Sequence, residues 1–356
     1  MDESCRIDLT ANFGMPRGRT TGSLFRGLVH KCLWRGVGCF AILNLKWIKP
    51  EPEKCPMTRY RYRLVNVFAE TTLSGNQLCV FEDGRGLSSE QMLALARQFN
   101  LSETTFILPS EQASARVRVF TTGYEMRFAG HPTLGSAHVV RDIMHTGDQL
   151  SLEFQAGIVP VEASGDVWRF VAPASSHPPT RPLEIDRAAM AALLGLHTDD
   201  LLGEPMWVDA GADQILIPLV STDAVRRAAP NASLMATWPL SSLGRKTGYV
   251  FAFDALQDAQ QDARSDRRAN HQHHILARYF FTTQGGGVSE DPGTGSACAN
   301  LGGWLLANDY ALPARCVVAQ GEAVERPCHL QLEVSEDRRI HVGGRVIELG
   351  QGYIDL

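Results

Sequence analysis

One short phrase occurs twice in this chain, and that doubling constrains the fold more than any other feature. The first copy is His131-Pro132-Thr133-Leu134-Gly135-Ser136-Ala137, the second Asp291-Pro292-Gly293-Thr294-Gly295-Ser296-Ala297. Four of the seven positions are identical, and the first is ionisable in both. A run of small and apolar residues follows each, His138 to Met144 and Cys298 to Leu306. A spacing of 160 positions (131 to 291) is too long for a solenoid and suits two duplicated domains. In each copy Pro stands ahead of a helical pattern, where its missing N–H does little harm. A Gly-rich turn lets backbone approach a ligand, and the helix start behind it offers free N–H groups and a positive dipole end. The expectation is two helix N-termini facing one cleft, with a ligand between them.

The 356 residues, 44% hydrophobic and 21% charged, are ordinary for a globular chain and allow about two domains. A formal net charge of −5 gives no sign of nucleic-acid affinity, and no apolar run approaches the ~20 residues of a membrane span. Of the eight Cys, four (Cys5, Cys32, Cys39, Cys55) precede residue 56, and none is spaced as a zinc ligand. Without a secretory signal the thiols read as reduced and the protein as cytosolic.

Residues 1–56 are basic and follow neither helical nor strand periodicity for long, so they read as a disordered extension or a non-native start ahead of Met57. Tyr60–Phe68 and Leu78–Phe81 are strands around the turn Ser74-Gly75-Asn76. Ser88 and Gln91 form a capping box for an amphipathic helix through Phe99, and Glu103–Leu108 and Arg116–Thr121 are strands. Further strands are expected at 150–154, 158–162, 167–172, 214–220, 248–253, 278–283, 316–320, 329–334, 339–342 and 346–349, with a helix at 188–194. The proline-rich stretch 173–182 reads as an interdomain connector and 257–274 as a solvated loop. Strands dominate, and the two helices behind the repeats are apolar on nearly every side, so both should be buried. The expected class is α+β: an N-terminal domain of residues 57–172, for which the strand 345–356 is a candidate completion, and a C-terminal domain of residues 173–344.

Three nucleotide or hydrolase signatures fail on the second phrase. Gly293-Thr294-Gly295 lacks the third dinucleotide-fingerprint Gly, since position 298 is Cys. There is no Gly-Lys-Ser/Thr and no G-x-S-x-G. A helix-terminus anion site survives, with Ser296 as an added donor, against the plainer reading of a capped helix that binds nothing. Glu103 stands among Leu101, Phe106 and Ile107, where burial would raise its pKa into a useful acid–base range, although a lone Glu after a helix is usually solvated. His131 follows a glycine and is expected to be exposed, as a cap or a ligand-binding imidazole. His271, His273 and His274 lie in the polar stretch without a metal-site pattern, and Cys298 reads as packing.

The stretches Asn100–Phe106 (NLSETTF), Phe128–Gly135 (FAGHPTLG) and Glu290–Ala297 (EDPGTGSA) resemble the signatures of the phenazine-biosynthesis PhzF-like family, with Gly75-Asn76, Gln320-Gly321 and Arg326-Pro327 as further landmarks. The resemblance runs from about Tyr60 to the C-terminus. It implies the diaminopimelate epimerase-like fold: two pseudo-symmetric domains, each a curved sheet around a central helix, with the site between them. It also implies an isomerase that moves a proton without metal or organic cofactor. In the phenazine enzyme the substrate is trans-2,3-dihydro-3-hydroxyanthranilate, and one glutamate carries the proton.

By position in the motifs, Glu103 is that glutamate. His131 and Asp291 match its supporting catalytic residues, and Asn76, Gly130, Gly295 and Ser296 match substrate-binding positions. Epimerases of this fold use two cysteines, and Ala129 and Pro292 occupy the places assigned to them here. Gln77, Gly293 and Arg127 depart from the family pattern and bear on substrate rather than fold. The implied partner is a small anionic metabolite, with no metal, nucleic acid or membrane, in a homodimer. A catalytically idle, metabolite- or protein-binding relative is the rival reading.

Overall fold

The structure, a computed structural model, describes residues 57–173, 176–255, 272–283 and 286–356. The expectations for residues 1–56, for His271 and most of the polar stretch, and for Gly285 lie outside them.

The chain runs β1 (Arg59–Val67), β2 (Asn76–Phe81), α1 (Ser89–Phe99), β3 (Glu103–Leu108), β4 (Ala115–Phe120), β5 (Glu125–Met126), α2 (Gly130–Met144), β6 (Gln149–Phe154), β7 (Gly157–Ser164) and β8 (Val167–Val171). It continues through β9 (Thr180–Pro182), α3 (Arg187–Leu193), β10 (Met206–Asp209), β11 (Asp213–Pro218), α4 (Thr222–Arg227), β12 (Thr247–Phe253), β13 (Gln272–Thr282), β14 (Val288–Asp291), α5 (Gly295–Ala307), β15 (Ala314–Gln320), β16 (Cys328–Val334) and β17 (Ile340–Asp355).

The pairing scheme occurs twice. From β1, neighbours pair antiparallel (β1/β2), parallel (β2/β3), antiparallel (β3/β4), parallel (β4/β6) and twice antiparallel (β6/β7, β7/β8). From β10 the same sequence of pairings runs through β11, β12, β13, β15, β16 and β17. The short strands β5 and β14 attach to β4 and β13. Parallel neighbours need a crossover, and the helices supply it in equivalent places: α1 and α4 in the first crossover, α2 and α5 in the second. The halves are also laced together. β9, which follows the first half, pairs with β10 of the second, while Val346–Asp355 of β17 pairs with β1.

Hydrophobic patterning explains which helices lie inside. α1 has a single apolar stripe (Met92, Leu95, Ala96) laid on the outside of β1–β4, and it is capped as its sequence predicts by the Ser88/Gln91 box. In α5 every residue from Ala297 to Leu306 is buried, and α2 buries Gly130 through Ala137 with Val139 and Val140. Both helices belong to one core with the inward faces of the strands. Each fully buried Leu or Val there contributes about 1.5–3 kcal/mol.

Several local expectations are overturned. The proline-rich connector contains a strand, β9, and the polar stretch ends inside β13, with half-buried His273 and His274 on the strand. The two last strands are one, because Gly343 and Gly344 do not break it; Trp168 O would lie 2.6 Å from a Cβ on Gly343 and the Phe68 ring 2.6 Å from one on Gly344.

The doubled phrase is also out of register with the doubled fold. In the first copy His131 and Pro132 lie inside the first turn of α2, whereas Asp291 and Pro292 precede α5. The structural counterparts are the first helical residues, Gly130 and Gly295, followed by His131 and Ser296.

Candidate active site

Glu103 is placed by the end of α1. Asn100 takes a left-handed conformation (φ 52°) and its N–H closes on Ala96 O, so the chain reverses within a few residues. β3 then starts at Glu103, in parallel register with Leu78 of β2. This aims the carboxyl at the start of α2, where Glu103 Oε2 lies 3.4 Å from His131 Nε2. The two side chains are only 15% and 5% exposed.

Asn76 enters from the adjoining strand. Its turn depends on Gly75, at φ +83°, where a Cβ would lie 2.6 Å from that of Ala69. Arg326 holds the turn by donating to the carbonyls of Leu73, Ser74 and Gly75. The Asn76 amide nitrogen then donates to Asp291 Oδ1 and Gly293 O, both at 3.0 Å, and lies 3.2 Å from His131 Nδ1.

Asp291 ends β14. Its carboxylate also accepts from Thr294 Oγ1 and from the Ser102 side chain. Gln320, fully buried, fixes this turn by donating to Asp291 O at 2.8 Å while accepting from Thr294 N.

Burial sets the electrostatics. It pushes the Glu103 carboxyl well above the usual carboxylate range, and the neighbouring Asp291 charge pushes it further. Burial also raises Asp291, against the hydrogen bonds from Thr294, Asn76 and Ser102 that favour its charged form. Burial lowers His131 to about 3, partly opposed by the Gln77 backbone, so the ring is neutral. The expected exposure of His131 is therefore wrong: as the second residue of a buried helix it is 4% exposed. A carboxyl of raised pKa beside a neutral imidazole can give and take protons near neutral pH. Glu103 Oε2 and His131 Nε2 are buried with no polar neighbour at hydrogen-bond range but each other, and Asn76 Oδ1 is buried without a partner, a set of polar atoms that a ligand could satisfy.

The two helix starts meet directly. A Cβ on Gly130 would stand 2.8 Å from Gly295 Cα, so no ligand fits between these glycines, contrary to the expectation. Neither helix is capped by a side chain, which leaves N–H groups of the first turns beside this junction without a side-chain acceptor. Ser296 faces the same region and accepts from Gln214 Nε2 at 3.1 Å; Gln214 is held by Tyr279 and Asn300.

The first-turn positions carry Gly130, His131, Gly295 and Ser296, without cysteine, and Pro292 stands three residues before α5. Cys298 is fully buried in α5 and burial drives its thiol pKa well up, as suits packing. Thus Glu103, His131, Asp291, Asn76, Gly130 and Gly295 form one cluster, with Ser296 at its margin. Sequence reasoning missed Ser102, Gln320 and Thr294 as its supports. Ser102 and Thr294 stood inside the recognised motifs, and Gln320 was noted only as a landmark.

This is an α+β protein whose duplicated halves join at a buried cluster of Glu103, His131, Asn76 and Asp291. A sequence profile of the phenazine biosynthesis-like protein family matches residues 65–352, and the chain belongs to this PhzF-like family of isomerases. A protein of Pasteurella multocida named an uncharacterised isomerase is 35% identical over 84% of this chain and 95% of its own. A trans-2,3-dihydro-3-hydroxyanthranilate isomerase of Pseudomonas fluorescens is 28% identical over 83% of this chain and all of its own. A PhzF-family protein of Bacillus anthracis has the same fold: TM-score 0.69 and 22% identity, over 84% of this chain and 99% of the other. Among the described residues no helix is long and apolar enough to cross a membrane.

Proposed function

We propose that this protein catalyses a prototropic isomerisation of a small carboxylate-bearing metabolite, with Glu103 as the acid and base and with no metal or organic cofactor. The observation that carries the reading is the buried Glu103–His131–Asn76–Asp291 cluster, in which the Glu103 carboxyl lies 3.4 Å from the His131 imidazole.

The substrate carboxylate lies beside the Gly130/Gly295 junction on the free N–H groups, with Ser296 as a further donor. Glu103, as carboxylate, takes a proton from a substrate carbon. The electron pair of that C–H bond passes into the adjoining π system. The same carboxyl then returns the proton to another carbon, and the π pair forms the new bond. Nothing is oxidised or reduced. Desolvation strengthens Glu103 as a base, and neutral His131 steadies the oxygen that carries the proton. The lobes that enclose the substrate are residues 57–172 with 345–356, and residues 173–344. A panel of unsaturated small acids, with trans-2,3-dihydro-3-hydroxyanthranilate, the substrate named for several relatives, among them, is the starting set.

The test is solvent deuterium incorporation into these acids, with Glu103→Gln as the control. Incorporation that depends on Glu103 supports the reading; incorporation that survives the substitution removes Glu103 from the mechanism.

A further inference from the structure

The strands β3 and β12 hold equivalent places in the two halves, and the head of each bears on the cleft. Glu103 begins β3, and β12 begins at Thr247, two residues after a cation, Arg245.

Arg245 reaches across to the first half. Its guanidinium carbon is 4.7 Å from the centre of the Tyr124 ring, which belongs to the turn between β4 and β5. Tyr124 is 39% exposed, so the pair stands at the rim, whereas His131 and Asn76 form the buried floor. Tyr124 also lies within electrostatic range of Glu103: burial and the Glu103 charge raise its phenol, and Arg245 opposes them. The Arg245 charge reaches Tyr279 as well, which pairs with Asp291 across β13 and β14. Two other arginines near the cleft are occupied. Arg278 is locked to Glu290, and Arg326 donates to the Gly75 turn. Among the described residues the Arg245 guanidinium has no acidic partner; its neighbour Lys246 donates to Met235 O.

A guanidinium held over an aromatic ring by its π face can keep N–H groups for an anion. We propose that Arg245 is a specificity-determining residue whose guanidinium takes a second acidic group of the substrate at the rim, while the first lies beside the helix starts on the floor. The substrate class is then a small dicarboxylate or its equivalent. This rests on the reading of the floor as a carboxylate site.

Calorimetric titration of the full chain with succinate, glutarate and adipate, each beside its own monoamide, isolates the second charge at nearly constant size. Arg245→Gln and Arg245→Lys are titrated alongside, with melting curves to confirm folding. The unsubstituted protein should bind at least one diacid about tenfold or more tightly than its monoamide, as a charge-assisted hydrogen bond provides. Arg245→Gln should erase that preference and leave monoamide affinity unchanged, and Arg245→Lys should keep part of it.

The proposal is overturned by the absence of any diacid preference in the unsubstituted protein, by a preference that persists in Arg245→Gln, or by equal weakening of both ligands in that variant. Binding of neither ligand class at all overturns the floor carboxylate reading along with it. Monoamide binding without a diacid preference overturns the Arg245 proposal alone.

Discussion

The strands β3 and β12 hold equivalent places in the two halves, and their first residues differ in the way that matters most. β3 begins with Glu103, whose carboxyl reaches His131, and β12 begins with Thr247, buried and uncharged. The scaffold is duplicated down to the placing of its crossovers, while the buried carboxyl at a strand's head stands in one half. A symmetric pair of bases suits removal of a proton from one face of a carbon and its return from the other. A single carboxyl suits transfer between two carbons on the same face. The difference between the halves therefore bears directly on the type of isomerisation.

The sharpest way to break this comparison is to move the acid. Glu103→Gln should slow deuterium exchange by roughly 10²–10⁴-fold, the usual contribution of a positioned acid–base group. Adding Thr247→Glu to that variant should restore nothing and should lower the melting temperature by burying a carboxyl at the head of β12. Recovered exchange in the double variant would make the two strand heads functionally equal.

At the helix junction, by contrast, the halves should behave alike. Gly130→Ala and Gly295→Ala each push a methyl into the opposite backbone, and each should destabilise by about 1–3 kcal/mol, read from denaturant titration. A large effect at only one position would show that the junction is looser than it looks.

Smaller effects concern charge. The Asp291 charge helps to raise Glu103, so Asp291→Asn should shift the acid limb of the pH–activity profile to lower pH. An unmoved limb would uncouple the halves electrostatically.

The smallest effects are in stability against pH. Glu103 has a raised pKa, so the folded state holds its proton where the unfolded chain has lost it. Stability falls as pH rises above the ordinary glutamate value of about 4.3. Glu103→Gln should therefore raise the melting temperature more at pH 8 than at pH 5, by a few degrees. His131 has a lowered pKa and works the other way: its cost appears as pH falls below about 6.5, where the unfolded imidazole gains a proton that the folded one refuses until about 3. His131→Asn should flatten the acid side of a stability profile measured by thermal melting.

Much of the site was legible because its residues stand in short local patterns. The capping box at Ser88 fixed the helix before Glu103, and the apolar character of the 298–306 run announced a buried helix. What was not legible depended on distance in the chain. The burial of His131 follows from strands closing around α2, which no window on residues 128–135 contains. Strands β5 and β14 are too short for an alternating pattern, so the starts of α2 and α5 could not be aligned from sequence. The likeness of two seven-residue phrases then suggested a register that backbone geometry does not share. Arg245 stands in an unremarkable polar stretch, and only the fold brings its guanidinium over the Tyr124 ring of the other half.

The exchange of β9 and the end of β17 between halves has a consequence for how such a chain can arise. A lone repeat unit would have a first strand with one unpaired edge and a last segment with nothing beside it. Two units satisfy both needs at once, each lending its tail to the other. The present chain has the form of a tail-swapped pair of subunits carried on one covalent chain, a form in which the two copies need not match and a buried carboxyl can stand in one of them alone.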